Sequence, residues 1–127
     1  MHPVFVSVDS FDDVFTSKLI PALESALDRS PHPIKGLLFT NPHNPFGQCY
    51  PSTVIMDIIK FCDDKKIHFI SDEIYAMSSF ECPDVPEPVP FVSTLSLDVQ
   101  GMGYDLRRVH TIWSLSKDLG SSGLRMV

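Results

Sequence analysis

The chain has 127 residues, and its 10 Lys and Arg against 16 Asp and Glu give a formal net charge of −6. This length corresponds to one ordinary domain. The composition, with 43% hydrophobic and 20% charged residues, excludes a disordered or fibrous chain. The acidic balance argues against nucleic-acid binding, which needs clustered Lys and Arg. No apolar run approaches the ~20 residues of a membrane span, and no signal-peptide pattern is present. The spacing of the three cysteines does not match that of a zinc site. We therefore expect a cytoplasmic protein without a metal site.

Three short apolar segments are typical of β-strands. They are rich in β-branched and aromatic residues and end in turn formers, which predicts strands buried on both faces. These segments are Ile34 to Thr40, Ile67 to Ser71 and Val109 to Trp113.

Two segments predict helices between or before these strands. Pro51 to Lys66 places apolar residues at three- and four-residue steps, and a shorter helix is expected from near Ile20 to Arg29. Strand, helix and strand at this spacing predict a crossover with parallel strands, and hence an α/β fold. The four prolines of residues 81–90 predict an extended surface loop, and Leu124 to Val127 resemble the start of a fourth strand.

Polar residues follow each predicted strand. Asn41 to Gly47 follow the first strand, Asp72 to Tyr75 the second, and Ser114 to Arg125 the third. In open parallel sheets, ligands bind at the carboxyl ends of the strands. A lysine can form a Schiff base, a carboxylate can keep a heteroaromatic nitrogen protonated, and hydroxyls with an arginine can hold a phosphate. Together these groups fit pyridoxal phosphate.

Three motifs in this order also carry a family resemblance: NPHNPFG at 41–47, DEIY at 72–75 and SLSKDLGSSGLR at 114–125. The set resembles the large domain of fold type I pyridoxal-phosphate enzymes, the class I/II aminotransferase family. Within that family it is most similar to the 1-aminocyclopropane-1-carboxylate synthase-like branch. The resemblance implies a partial three-layer α/β/α sandwich with a mostly parallel sheet. Residues 1–127 would be part of the large domain, with the small domain and an N-terminal segment absent.

The resemblance also implies roles for individual residues. Lys117 would form the Schiff base and move the substrate's α-proton, while Asp72 would pair with the pyridine nitrogen of the cofactor. Tyr75 would hydrogen-bond the phenolic oxygen of the ring. The implied cofactor-binding set is completed by Asn44 at the phenolic oxygen and by Ser114, Ser116 and Arg125 at the phosphate, while Gly47 and Gly123 would form turns nearby.

The resemblance implies an aminotransferase-like enzyme that acts on an amino acid, as a truncated form of a family whose members are usually homodimers. One alternative is a 1-aminocyclopropane-1-carboxylate synthase-like enzyme or a carbon–sulfur lyase, and another is a catalytically inactive fragment. Each motif residue also has a purely structural interpretation as a turn former, a helix cap or a surface charge. The S-x-x-K pattern of Ser114 to Lys117 also occurs in penicillin-recognising serine enzymes, but the chain has no K-T-G element.

Overall fold

The computed structural model of the protein describes residues 2–85 and 87–124. It contains one parallel sheet of three strands in the order β1-β2-β3, which confirms the predicted α/β crossover fold. The strands are β1 (Gly36–Thr40), β2 (His68–Asp72) and β3 (Val109–Ile112), and the helices are α1 (Leu19–Arg29), α2 (Ser52–Asp64) and α3 (Leu115–Asp118). Short 3-10 helices occupy Phe11–Phe15, Thr94–Ser96 and Leu106–Arg108.

The carboxyl ends of the three strands are aligned in the sheet. Thr40 pairs with Asp72, and Asp72 pairs with Ile112. The hydrogen-bond ladder continues one residue further, because the amide of Asn41 donates to the carbonyl of Asp72 at 3.0 Å and that of Glu73 donates to Ile112 at 2.8 Å. The three motif segments therefore leave the sheet from the same edge.

Helix α2 supplies most of the hydrophobic core. It begins one residue after Pro51, which is its N-cap, and its apolar stripe packs against Phe39 and Phe69 of the sheet. Helix α1 adds Leu23 to the same core. The buried residues of α2 are Val54, Ile55, Ile58, Ile59, Phe61 and Cys62.

The opposite face of the sheet is open in the described part of the chain. Leu38 is 68% exposed and Ile112 is half-exposed, so the expectation of strands buried on both faces is wrong for this face. The apolar pattern of the strands is that of a sheet between two helical layers, whereas α1 and α2 both join the core on one side. His68 and His110 also lie exposed on the open face, with His68 Nδ1 2.9 Å from His110 Nε2.

The proline-rich segment 81–90 is predicted from the sequence to form an extended surface loop. The described residues of segment 81–90 contain turns and bends but no helix or strand, which confirms the predicted loop. Residues 125–127 of the predicted fourth strand lie outside the described residues. Every helix within 2–85 and 87–124 is too short or too polar to cross a lipid bilayer, and no cluster of three or more metal-ligating side chains occurs in these ranges.

Candidate cofactor site

The NPHNPFG turn after β1 is fixed by its first asparagine. Asn41 is 1% exposed, its Oδ1 accepts a hydrogen bond from the amide of Tyr50 at 3.0 Å, and its Nδ2 donates to the carbonyl of Val92 at 3.4 Å. Gly47 closes the turn at a φ of +64°, a conformation that glycine adopts without strain. Asn41 therefore has a structural role, and the turn leaves Asn44 exposed with its amide available to a ligand.

Asp72 ends β2 with its side chain half-buried. Its Oδ1 accepts a hydrogen bond from the amide of Ile74 at 3.2 Å. Within the described residues no donor contacts its second oxygen, Oδ2. Asp72 can therefore accept one further N–H from a ligand while its own position stays fixed.

Glu73, the neighbour of Asp72, is a buried carboxylate that sequence patterns do not identify. Its Oε1 accepts hydrogen bonds from the hydroxyl of Ser71 at 3.0 Å and the amide of Thr94 at 2.8 Å, and its Oε2 accepts one from the hydroxyl of Ser93 at 2.6 Å. These partners are up to 21 residues away. Glu73 therefore attaches the loop before the 3-10 helix at Thr94–Ser96 to the end of β2.

Lys117 lies in the short helix α3, directly after β3. Ser114 caps this helix, because its Oγ accepts a hydrogen bond from the amide of Ser116 at 3.3 Å. The side chain of Lys117 is exposed, and those of Ser114 and Ser116 are half-buried. All three polar groups therefore lie within four residues of each other at the carboxyl edge of the sheet.

Asp118 connects α3 to the segment that follows Tyr75. Its carboxylate accepts hydrogen bonds from the amide of Met77 at 3.0 Å, the hydroxyl of Ser78 at 2.6 Å and Nε1 of Trp113 at 2.8 Å. Burial opposes ionisation of this group, but the three hydrogen bonds outweigh it and lower the pKa of Asp118 below its ordinary value of 3.8. Asp118 was not among the predicted site residues, and its position next to Lys117 is the only sequence signal for it.

Asn44 and Tyr75 line the same open cleft of about 750 Å³. One wall is the NPHNPFG turn, and the other is formed by residues 78–80, 82, 85 and 87–89. Asp72, Ser114, Ser116 and Lys117 are not lining residues of this cleft, and Arg125 lies outside the described residues. Two of the predicted cofactor ligands are thus brought together in one cavity, while Asp72, Ser114, Ser116 and Lys117 lie at the same carboxyl edge of the sheet.

His43 forms part of the cleft wall between Asn41 and Asn44. Its ring stacks on Phe46 with centroids 4.7 Å apart and an interplanar angle of 10°. Its Nδ1 is buried and has no hydrogen-bond partner in the described residues. Burial lowers the pKa of His43 from its ordinary value of 6.5, so the ring is neutral at pH 7.

The donors and acceptors at this edge fit pyridoxal phosphate. Asp72 has a carboxylate oxygen for the ring nitrogen, and Tyr75 and Asn44 offer a phenol and an amide on one cleft for the phenolic oxygen. The hydroxyls of Ser114 and Ser116 are suited to a phosphate, and Lys117 has the amine that an aldehyde requires.

A parallel α/β domain with an amine, a carboxylate and phosphate-type donors beyond its strand ends defines a cofactor-binding protein. The family model described as aminotransferase class I and II matches residues 15–126, and the chain belongs to this family. The family depends on pyridoxal phosphate.

Several curated proteins are similar to the chain. It is 60% identical over 98% of its length to "Probable aminotransferase aclI" of Aspergillus oryzae and 47% identical over 90% to "Probable aminotransferase gliI" of Aspergillus fumigatus. It is 44% identical over 84% of its length to 1-aminocyclopropane-1-carboxylate synthase 1 of Oryza sativa subsp. indica. The chain spans 30%, 25% and 22% of these three proteins, respectively.

Solved structures share the fold. An aromatic aminotransferase from Pyrococcus horikoshii superposes with a TM-score of 0.62 at 24% identity, over 84% of this chain and 24% of that one. A PLP-bound C-S lyase from Staphylococcus hominis superposes with a TM-score of 0.52 at 24% identity, over 94% of this chain and 24% of that one. At these identities the likeness concerns the fold alone.

Proposed function

We propose that the chain is the cofactor-attaching part of the large domain of an aminotransferase-like, pyridoxal-phosphate-dependent enzyme that acts on an amino acid. The observation that carries the proposal is the convergence of the three motifs. Asn44 and Tyr75 line one cleft, and Asp118 links the helix of Lys117 to the residues that follow Tyr75. An α/β scaffold alone would not require this arrangement.

The proposal gives each polar group one role at the cofactor. Pyridoxal phosphate, when bound, supplies the electron sink that makes the α-proton of an amino acid acidic. Asp72 would keep the ring nitrogen protonated with its second oxygen, and Tyr75 and Asn44 would donate to the phenolic oxygen. The phosphate would be held by Ser114, Ser116 and Arg125.

Lys117 would hold the cofactor through its amine and then move a proton at the α-carbon. Its side chain is exposed, so its amine is accessible to a ligand, while the backbone of α3 is held by the hydrogen bonds of Asp118. The lysine acts as a base only when its amine is neutral, so a cationic or desolvated environment beside a bound cofactor favours the reaction.

The proposal extends to the whole protein of which this segment would be part. We propose that this protein is a homodimer, as the family resemblance implies. We also propose that residues 1–127 are a portion of its large domain, because the chain covers only 30% of its Aspergillus oryzae relative.

The test is a hybrid in which this chain replaces the matching segment of the 60%-identical Aspergillus oryzae relative. The hybrid is assayed with an L-amino acid that the unmodified relative converts. We expect a 2-keto acid without free ammonia, and loss of product on Lys117→Ala. Lys35→Ala is the matched control, because Lys35 is also exposed but precedes β1, at the opposite edge of the sheet.

The products separate the alternatives. Free ammonia or a released thiol would show lyase chemistry in place of transamination. A folded hybrid with no product, beside an active parent, would show that this segment does not support the reaction.

A further inference from the structure

We infer that the cleft lined by Asn44 and Tyr75 receives the side chain of the substrate amino acid, and that this side chain is bulky and apolar or aromatic. Residues 82, 85 and 87–89 of the loop 81–90 form the outer wall of this side-chain site. The inference rests on the proposed function, because Asn44 and Tyr75, which also line this cleft, would bind the phenolic oxygen of the cofactor.

Aromatic and aliphatic side chains line both walls of the cleft. Phe46 and Phe80 face it from opposite walls, and Pro88 and Val89 extend the second wall. Phe80 is 82% exposed and Phe46 is half-exposed, so both rings have apolar surface in contact with water. Covering this surface with an apolar group is favourable by roughly 25 cal/mol per Å². A volume of about 750 Å³ is within the usual range of small-molecule sites.

The charge of the cleft lining also favours an apolar substrate side chain. Glu87 is the one lining residue with a permanent charge in the described part of the chain, and no lysine or arginine is among the described lining residues. His43 is neutral at pH 7, because burial lowers its pKa. A carboxylate on a substrate side chain would lose water here without gaining a cation, which is costly. The cleft therefore disfavours acidic amino acids.

The ring of Phe46 is held in position by contacts with other aromatic rings. It stacks on His43, and it also meets the ring of Phe11 edge-on, with centroids 4.7 Å apart at 86°. Phe15 lies behind this cluster in the core. The wall formed by the NPHNPFG turn is thus ordered before a ligand binds, which lowers the entropic cost of binding.

The experiment measures the affinity of the chain for reduced conjugates of cofactor and amino acid by isothermal titration calorimetry. The probes are the N-(5′-phosphopyridoxyl) derivatives of L-phenylalanine, L-alanine and L-aspartate. We expect the phenylalanine conjugate to bind at least about tenfold more tightly than the alanine conjugate, and the aspartate conjugate to bind less tightly than the alanine conjugate.

Variants locate the effect in the cleft. Phe80→Ala should lower the preference for phenylalanine over alanine, and Phe80→Arg should increase the affinity for the aspartate conjugate. Phe5→Ala is the matched control, because Phe5 is also 82% exposed but does not line the cleft. Both positions are exposed, so neither substitution removes core packing, and circular dichroism verifies the fold.

The outcomes separate this inference from the proposed function. Equal affinities for the three conjugates, with competition by pyridoxal phosphate, would overturn the side-chain site and leave the cofactor site supported. An unchanged preference in Phe80→Ala and Phe80→Arg would also overturn it. Binding of none of the conjugates would contradict the proposed function itself.

Discussion

Asp118 lies next to the proposed cofactor lysine and accepts three hydrogen bonds from two other segments. Because these bonds lower its pKa below 3.8, the ionised form stabilises the structure above that pH. The stabilisation is lost as the pH falls through the lowered pKa of the folded state. The position of α3, and with it that of Lys117, should therefore depend on the charge of Asp118.

Asp118→Ala is expected to release the segment after Tyr75 from α3. The amide hydrogen of Met77 should then exchange faster, whereas the amide of Phe69, a fully buried residue of β2, should keep its protection. Hydrogen exchange followed by NMR measures both sites in one sample. In the unmodified chain, lowering the pH below 3.8 should likewise reduce the protection of Met77, after correction for the intrinsic exchange rate.

Asp28→Ala is the control, because Asp28 is exposed on α1 and makes no hydrogen bond or salt bridge through its side chain in the described residues. Equal protection of Met77 in the Asp118 and Asp28 variants would show that the three hydrogen bonds do not hold α3 in place.

At the residue scale, the sequence predicts groups whose chemistry is local. The motifs predict Asp72, Tyr75 and Lys117 as site residues, since the order of the motifs along the chain is itself the signal. Glu73 and Asp118 were missed because their partners lie up to 41 residues away, and only the fold brings them together.

At the scale of elements, apolar patterns predicted the three strands and the helices α1 and α2 to within a few residues, but not the short helix α3 or the 3-10 helices. Helix α2 was expected from Pro51 to Lys66 and runs over Ser52–Asp64, and β2 was expected from Ile67 to Ser71 and runs over His68–Asp72. The faces of the strands were harder to predict. An apolar run shows that a strand suits burial on both sides, but it does not show which parts of a protein provide the cover.

The one-sided sheet gives a direct prediction at this scale. Leu38 and Phe39 are neighbours in β1, but Leu38 is 68% exposed and Phe39 is 5% exposed. Phe39→Ala should lower the free energy of unfolding by about 3–5 kcal/mol, because it leaves a cavity in the core. Leu38→Ala should change it by less than about 1 kcal/mol, since little of its apolar surface is buried. Urea denaturation followed by circular dichroism measures both variants.

Leu38→Ala is the control for Phe39→Ala, because the two residues are neighbours in β1 and differ in burial. A large loss of stability in Leu38→Ala would show that the outer face of the sheet is covered in the isolated chain, for example by a second copy.

At the scale of the whole molecule, the described part of the chain is a parallel sheet with one helical layer and a carboxyl edge from which the three motif segments leave. It spans between 22% and 30% of the three relatives described above. The open face with Leu38 and Ile112 and the open cleft beside Tyr75 are surfaces on which further polypeptide could pack. Sequence motifs predict the edge at which a cofactor would bind, but they do not determine which parts of a protein surround that edge.

The central claim is that Lys117 is the amine to which pyridoxal phosphate attaches. The most direct measurement is incubation of the chain with pyridoxal phosphate, reduction with borohydride and mapping of the labelled peptides by mass spectrometry. We predict one dominant label on Lys117 at a cofactor concentration near stoichiometric, with Lys35 unlabelled. A label spread evenly over the exposed lysines, or absent from Lys117 while another lysine is modified, would contradict the claim.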